Sequence, residues 1–236
     1  MAQLNFRMPS IRSAAGAMAI GVVVTSLLAA IFKPLSTFVL LFPELVVRGY
    51  VWQLFSYAFV EVTPMGVIFG ALILWNLGGA VESQWGRKRF VWFSLGVTAL
   101  AGACTVLLSL LIPSLVRQGY PGGMVLTGSL WVAYGLQIGT RQTNFWGAPV
   151  SGNLLAIIGA GFVFLNAAFS GISTVIPDAF GLIFTFLYMR GAQPSRWWLR
   201  FRSWQLDRDL KKRSAHLKGI DGGRRNVGGD SDKYLH

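Results

Sequence analysis

A chain of 236 residues that is 53% hydrophobic and only 13% charged, with a mean hydropathy of +0.53, is too apolar for an ordinary soluble domain. Its net charge of +12 invites a nucleic-acid-binding reading, but the cations are shut out of long stretches and collect between them, as topology signals do in membrane proteins. The single cysteine, Cys104, lies in an apolar stretch, which excludes a disulfide framework and a cysteine-based metal site.

Residues 1–12, carrying Arg7 and Arg12, read as a short segment on the cytoplasmic side. The uncharged run 13–32 has about the ~20 residues a helix needs to cross hydrocarbon. It exceeds the ~7–15-residue core of a cleaved signal and has no cleavage pattern before Lys33. Residues 33–61 are rich in aromatic and aliphatic side chains but broken by Pro34, Pro43, Glu44, Arg48 and Gly49. They are predicted to lie in the outer interface, with Trp52, Phe55, Tyr57 and Phe59 at headgroup level. A second uncharged run, 62–81, leads through Glu82 to the basic turn Arg87, Lys88 and Arg89, and a third covers 90–116. After Arg117 come the breakers Gly119, Pro121, Gly122 and Gly123, within a fourth run, 118–140. From 142 to 189 the only charge is Asp178, and a run that long is predicted to fold back around Ser170, Gly171 and Ser173 into two more spans. The fold class is therefore all-α, a polytopic six-helix transmembrane bundle with an interfacial first outer loop.

Beyond residue 191 the composition turns basic and then glycine-rich, without the apolar residues for a second core. The division is 1–12, a membrane domain 13–191 and a cytoplasmic tail 192–236. Trp197, Phe201 and Trp204 recur at helical spacing among Arg196 and Arg200, the pattern of a basic amphipathic helix on the inner leaflet, where each cation near an anionic surface contributes ~1 kcal/mol. With six crossings, eighteen Lys and Arg fall on the side of the termini and three, Lys33, Arg48 and Arg117, on the other. That asymmetry places both termini in the cytoplasm of a plasma or inner membrane. The lipid bilayer is the first expected partner; nucleic acid, metal and cofactor are not expected.

The second run reads Trp75-Asn76-Leu77-Gly78-Gly79-Ala80-Val81-Glu82, followed by Trp85-Gly86-Arg87. The physical reading is that Gly78 and Gly79 admit a neighbouring helix closely, while Glu82 reaches cations or backbone donors instead of standing unpaired in lipid. Together with six spans, an amphipathic first loop and the terminal Leu187-Tyr188-Met189-Arg190-Gly191, this stretch resembles the rhomboid family of intramembrane serine proteases. The resemblance runs from about residue 32 to 191 and includes Gly86, Gly128 and Gly135 as structural positions.

That resemblance implies a serine nucleophile on the fourth span and a histidine base on the sixth, since a hydroxyl attacks an amide only when a base within reach takes its proton. Here the nucleophile position falls on Leu130, with Trp131 beside it, and the base position on Asp178. The oxyanion-stabilising positions of the second span fall on Gly66 and Gly70, and the Trp-Arg pair of the first loop reads Trp52-Gln53. The chain's two histidines, His216 and His236, are both in the tail. Ser129 is one residue, or about 100°, off register. The resemblance thus implies a catalytically inactive member, a pseudoprotease, that binds transmembrane helices of client proteins between its second and fifth spans. Two alternatives stand beside it: an active endopeptidase using Ser129 with Asp178 as base, and a small transporter, for which Asn76, Gln137 and Asn166 are sparse polar lining.

Overall fold

The computed structural model describes residues 13–145 and 147–191; the tail residues Arg196, Trp197, Arg200, Phe201 and Trp204 and the segment 1–12 lie outside the described residues. Helix α1 (Ala14–Ile31) opens where Ser13 Oγ accepts from the Gly16 amide at 3.0 Å. Three short helices, α2 (Lys33–Val39), α3 (Pro43–Val47) and α4 (Gln53–Ser56), then fill the first loop. The second long segment, Pro64–Trp85, is α5 (Pro64–Ile73), a π-helical turn Leu74–Gly78 and α6 (Gly79–Trp85). Within the π turn the Asn76 side-chain amide donates to the Leu72 carbonyl at 2.9 Å. Such turns disturb the i→i−4 ladder, and this bond gives a carbonyl in apolar surroundings a polar partner.

Gly86, at φ +79°, joins α6 to α7 (Arg87–Leu111). A Cβ there would meet nothing within 4 Å, so glycine is required by the left-handed backbone and not by crowding. Next come α8 (Gly123–Ile138), α9 (Gly152–Ser170) and, after a turn at Gly171, α10 (Ile176–Arg190). Helix α10 makes up most of a hydrophobic helical stretch that runs from Ile172 to Arg190.

Among the described residues five helices, Ala14–Ile31, Pro64–Trp85, Arg87–Leu111, Gly152–Ser170 and Ile172–Arg190, are long and apolar enough to cross a membrane. Helix α8, expected as a full span over 118–140, has 16 residues and a length of about 24 Å, less than the hydrocarbon core. Its start is set by a long-range contact: Tyr120 pairs with Leu41 through two backbone hydrogen bonds of 2.9 and 3.1 Å, holding 120–122 out of the helix. The all-helical expectation also needs correction. Strands β1 (Gln142–Phe145) and β2 (Ala148–Ser151) form an antiparallel hairpin between α8 and α9, pairing Phe145 with Ala148. Gly147, at φ +89°, supplies the positive φ that so short a turn demands.

The first loop is less superficial than expected. Trp52 and Phe55 are exposed, but Tyr57 is buried and its hydroxyl donates to the Thr98 carbonyl at 2.5 Å. The Gly122 amide donates to the Tyr57 carbonyl at 2.9 Å, and the Gly123 amide to that of Val60 at 3.0 Å. Buried Gln53 clamps the loop from within: its Oε1 accepts from the Phe42 amide and its Nε2 donates to the Thr37 carbonyl, both at 3.0 Å. The loop is a packed cap on one end of the bundle. Arg87, Lys88, Arg89, Arg141 and Arg190 mark the opposite, basic end.

Candidate functional site

Helix α8 is the axis around which the expected site residues are arranged. One stripe of it, at i, i+4 spacing, meets α5 where Thr127 touches Gly70 and then α9 at Trp131 and Gly135, while the opposite side meets α10 at Val125 and Ser129. The tightest contacts are at glycines. A Cβ on Gly135 would lie 2.6 Å from the Ala156 nitrogen, one on Gly152 would lie 2.5 Å from the Gly135 carbonyl, and one on Gly159 would lie 2.9 Å from the Trp131 ring. Small residues let helices in lipid approach and gain packing contacts. By the same measure Gly128 and Gly78 are not crowded. A Cβ would meet Val163 at 3.6 Å in the first case and Ala15 at 3.4 Å in the second, so the close approach expected at Gly78 is an ordinary contact.

Leu130 is fully buried in the apolar core with Ile73, Leu74, Leu126 and Val97. Ser129, not Leu130, faces α10: a Cβ on Gly181 would lie 3.1 Å from Ser129 Oγ. That oxygen is buried with no hydrogen-bond partner. Trp131 packs between Phe145 and Phe162, with ring centroids at 5.7 and 5.4 Å. Tyr134, one turn on, sets its hydroxyl 3.3 Å from Thr143 of the hairpin.

Asp178 stands in the first turn of α10, one turn before Gly181. It does not cap the helix, whose N-cap is Val175 without a side-chain cap bond. Asp178 is buried, and its Oδ1 has no hydrogen-bond partner. Its polar surroundings are Glu61 from the end of the first loop and Asn166 from α9. No hydrogen bond joins it to Ser129, and no histidine occurs among the described residues.

Glu61 is the site residue the sequence reading passed over. Its side chain fills the space beside Gly66, where a Cβ would lie 2.5 Å from Glu61 Cγ and 2.6 Å from Cδ. Its Oε2 approaches Gly123 at the start of α8, within 2.9 Å of a Cβ built there, and its Oε1 accepts from the Val62 amide at 3.2 Å. Burial raises its carboxyl above the ordinary value of 4.5, while the Val62 and Thr63 amides oppose that shift. The glycine at 66 thus has a use of its own, since it makes room for an acid. A Cβ on Gly70 would merely touch the Thr127 methyl, at 3.4 Å. A readable signal existed in Glu61-Val62-Thr63-Pro64, because Thr63 caps α5 by accepting from the Gly66 amide and so brings the preceding acid to a helix start.

At the basic end Glu82 has an equally definite task. Its Oε1 accepts from the Ala14 amide at 2.9 Å and its Oε2 from that of Ala15 at 2.8 Å. Of the partners expected for it, the backbone donors are the ones it meets. Nearby, the Arg89 guanidinium lies 4.9 Å from the centre of the Trp85 ring and its Nε donates to the Tyr188 hydroxyl at 3.0 Å.

Apolar helices of spanning length, polar side chains turned to backbone donors and cations gathered at one end define a polytopic integral membrane protein. The family model described as "Eukaryotic integral membrane protein (DUF1751)" matches residues 17–211. This chain belongs to that family. No curated protein matches it.

Proposed function

We propose that the chain is a rhomboid-like membrane pseudoprotease that holds transmembrane segments of client proteins without cleaving them. The observation that carries this reading is a gap in the helix packing. Helices α5 and α9 both pack on α8, at levels one turn apart marked by Thr127 and Trp131, yet share no extended packing with each other. Helix α9 shows a mostly uncovered apolar surface that includes Leu154, Ile157 and Phe164, and α5 exposes Met65, Ile68 and Leu72. A client helix entering there would bury apolar surface on both sides and meet the Trp131 and Phe162 rings. Association in lipid draws on such packing contacts. The missing reaction is supported by Leu130 in the core, by Ser129 without a base, and by Gly66 and Gly70 in place of oxyanion donors. In this reading six helices cross the bilayer, the capping loop faces outward and the basic end faces the cytoplasm.

The test is site-specific photocrosslinking in native membranes, with the probe at Phe69 on α5, at Ile158 on α9, and at Leu107 on α7 as a lipid-facing control. Crosslinks to other membrane proteins concentrated at the first two positions are expected. An equal yield at Leu107 would refute lateral capture by this opening.

A further inference from the structure

We propose that Glu61 and Asp178 form an acidic receptor for one basic side chain, a lysine or arginine carried in the third of a client transmembrane segment nearest the capped end of the bundle. The inference rests on the client-binding reading above and names what kind of segment is preferred. Two carboxylates from separate elements, the loop before α5 and the first turn of α10, lie within electrostatic reach of each other over the start of the short helix α8. No cation among the described residues answers them. The ion pairs among the described residues, from Arg48 and from Arg117, both go to Glu44, and Arg190 is twelve residues along α10, about 18 Å away.

One further polar group, Ser129, lies close by on α8. Asp178 is 4% exposed and its Oδ1 has no partner; Ser129 is 3% exposed, unpartnered at Oγ, and lies against Gly181 one turn from Asp178. A carboxylate in an apolar bundle is retained where it pairs, and its partner in membranes is a cation or a backbone donor. Glu61 has a backbone donor on Oε1; Asp178 is hydrogen-bonded by the Asn166 side chain, but its Oδ1 is left without a partner.

The donor set favours an organic cation over a metal. A divalent ion such as calcium takes six to eight oxygen ligands, and no third His, Cys, Asp or Glu joins the pair among the described residues. An ammonium or guanidinium carries three to five N–H donors, which two carboxylates and the Ser129 hydroxyl can take up. The approach is lateral. Glu61 precedes α5 and Asn166, the polar neighbour of Asp178, lies on α9, so both edges of the α5–α9 opening lead to the acids, and a long basic stem can extend from a helix lying in the opening.

The experiment uses the full chain in neutral-lipid vesicles with photoreactive single-span Leu/Ala peptides bearing uncharged flanks. Each peptide carries one Lys near one end, at the centre or near the other end, or one Gln in place of the Lys. The expected result is crosslinking at least about tenfold stronger for Lys at the level of the acids than for its Gln counterpart, the low end of coupling for close charge pairs. Glu61→Gln combined with Asp178→Asn should reduce the Lys peptide to the Gln level and leave the Gln peptide unchanged, which also shows that the variant is folded. The depth series in the native protein needs no variant. Crosslinking independent of Lys depth overturns the acidic receptor and leaves client binding standing; failure of every peptide to crosslink overturns both.

Discussion

The carboxylate of Glu82, on the last helical stretch of the second long segment, accepts hydrogen bonds from the amides of Ala15 and Ala14, the first residues of α1. A helix start leaves four amides without intrahelical partners, and in α1 two are answered by Glu82 and a third by Ser13. One side chain therefore ties the beginning of the first helix to the end of the second. Charge-assisted bonds of this kind contribute about 1.5–3 kcal/mol each where they are shielded from water. Glu82→Ala is expected to destabilise the protein by about 2–4 kcal/mol, and Glu82→Gln, which keeps one acceptor, by roughly half as much. Thermal unfolding in detergent measures both; a Glu82→Ala protein as stable as the native one would show that the contact is incidental.

The packing of α8 on α9 gives an internally controlled test. Alanine at Gly135 or Gly152 would drive a methyl into backbone atoms at 2.5–2.7 Å, and overpacking a rigid contact costs about 1–3 kcal/mol. Alanine at Gly78 or Gly128, with nearest atoms at 3.4 and 3.6 Å, should change stability little, since each loses a glycine from a helix interior. Comparing the four melting temperatures decides the matter. Equal effects at all four sites would mean that the α8–α9 approach is no closer than the rest.

These contrasts also separate what the sequence makes readable from what it hides. Charge segregation located the long helices well: the uncharged run 13–32 became Ala14–Ile31, and the fold-back predicted near Ser170 and Gly171 is a turn at Gly171. Signals that depend on one segment finding another were not readable. The trimming of α8 comes from Tyr120 pairing with Leu41, seventy-nine residues earlier, and Tyr57 left the headgroup level because the Thr98 carbonyl waits for its hydroxyl. The hairpin was passed over because Gln142 to Ser151 is short and sits in a stretch whose dominant signal is low charge. At the site, the resemblance directed attention to Gly66 and Asp178 as lost positions. Glu61, which fills the space beside the first and lies within electrostatic reach of the second, falls at a loop end where no helical period exposes it.

Glu61 predicts a pH dependence. Its carboxyl is raised in the folded protein by burial, so folding favours the protonated form. The sign follows: this stabilising contribution is complete below the ordinary value near 4.5 and is lost as pH rises through the higher folded value. Relative to Glu61→Gln, the native protein should therefore lose stability as pH rises from the ordinary value near 4.5, while the variant, neutral throughout, lacks that part of the slope. Melting curves over that rise, read as the difference between the two proteins, report Glu61 together with its coupling to Asp178. A difference that is flat, or that rises with pH, would contradict the burial.

The chemistry expected of the native protein is none at the serine. Ser129 Oγ has no hydrogen-bond partner and no described imidazole is near it, so a fluorophosphonate probe should label the native chain no more than Ser129→Ala. Restoring residues by the family resemblance should also fail, for a geometric reason. Leu130 points into the core with Ile73, Leu74 and Leu126, whereas the helix bearing Asp178 is met by Ser129. Nucleophile and base act as a unit, and a hydroxyl at position 130 would stand about 100° around α8 from the residue that faces α10. Leu130→Ser with Asp178→His and Trp131→Gly is thus expected to remain unlabelled at residue 130, with folding checked by its melting curve. Labelling at that residue, mapped by mass spectrometry, would show that position 130 reaches α10 and would support the resemblance residue by residue. Labelling of the native protein that disappears in Ser129→Ala would overturn the pseudoprotease proposal itself, because it would require a base that activates Ser129 from outside the described residues.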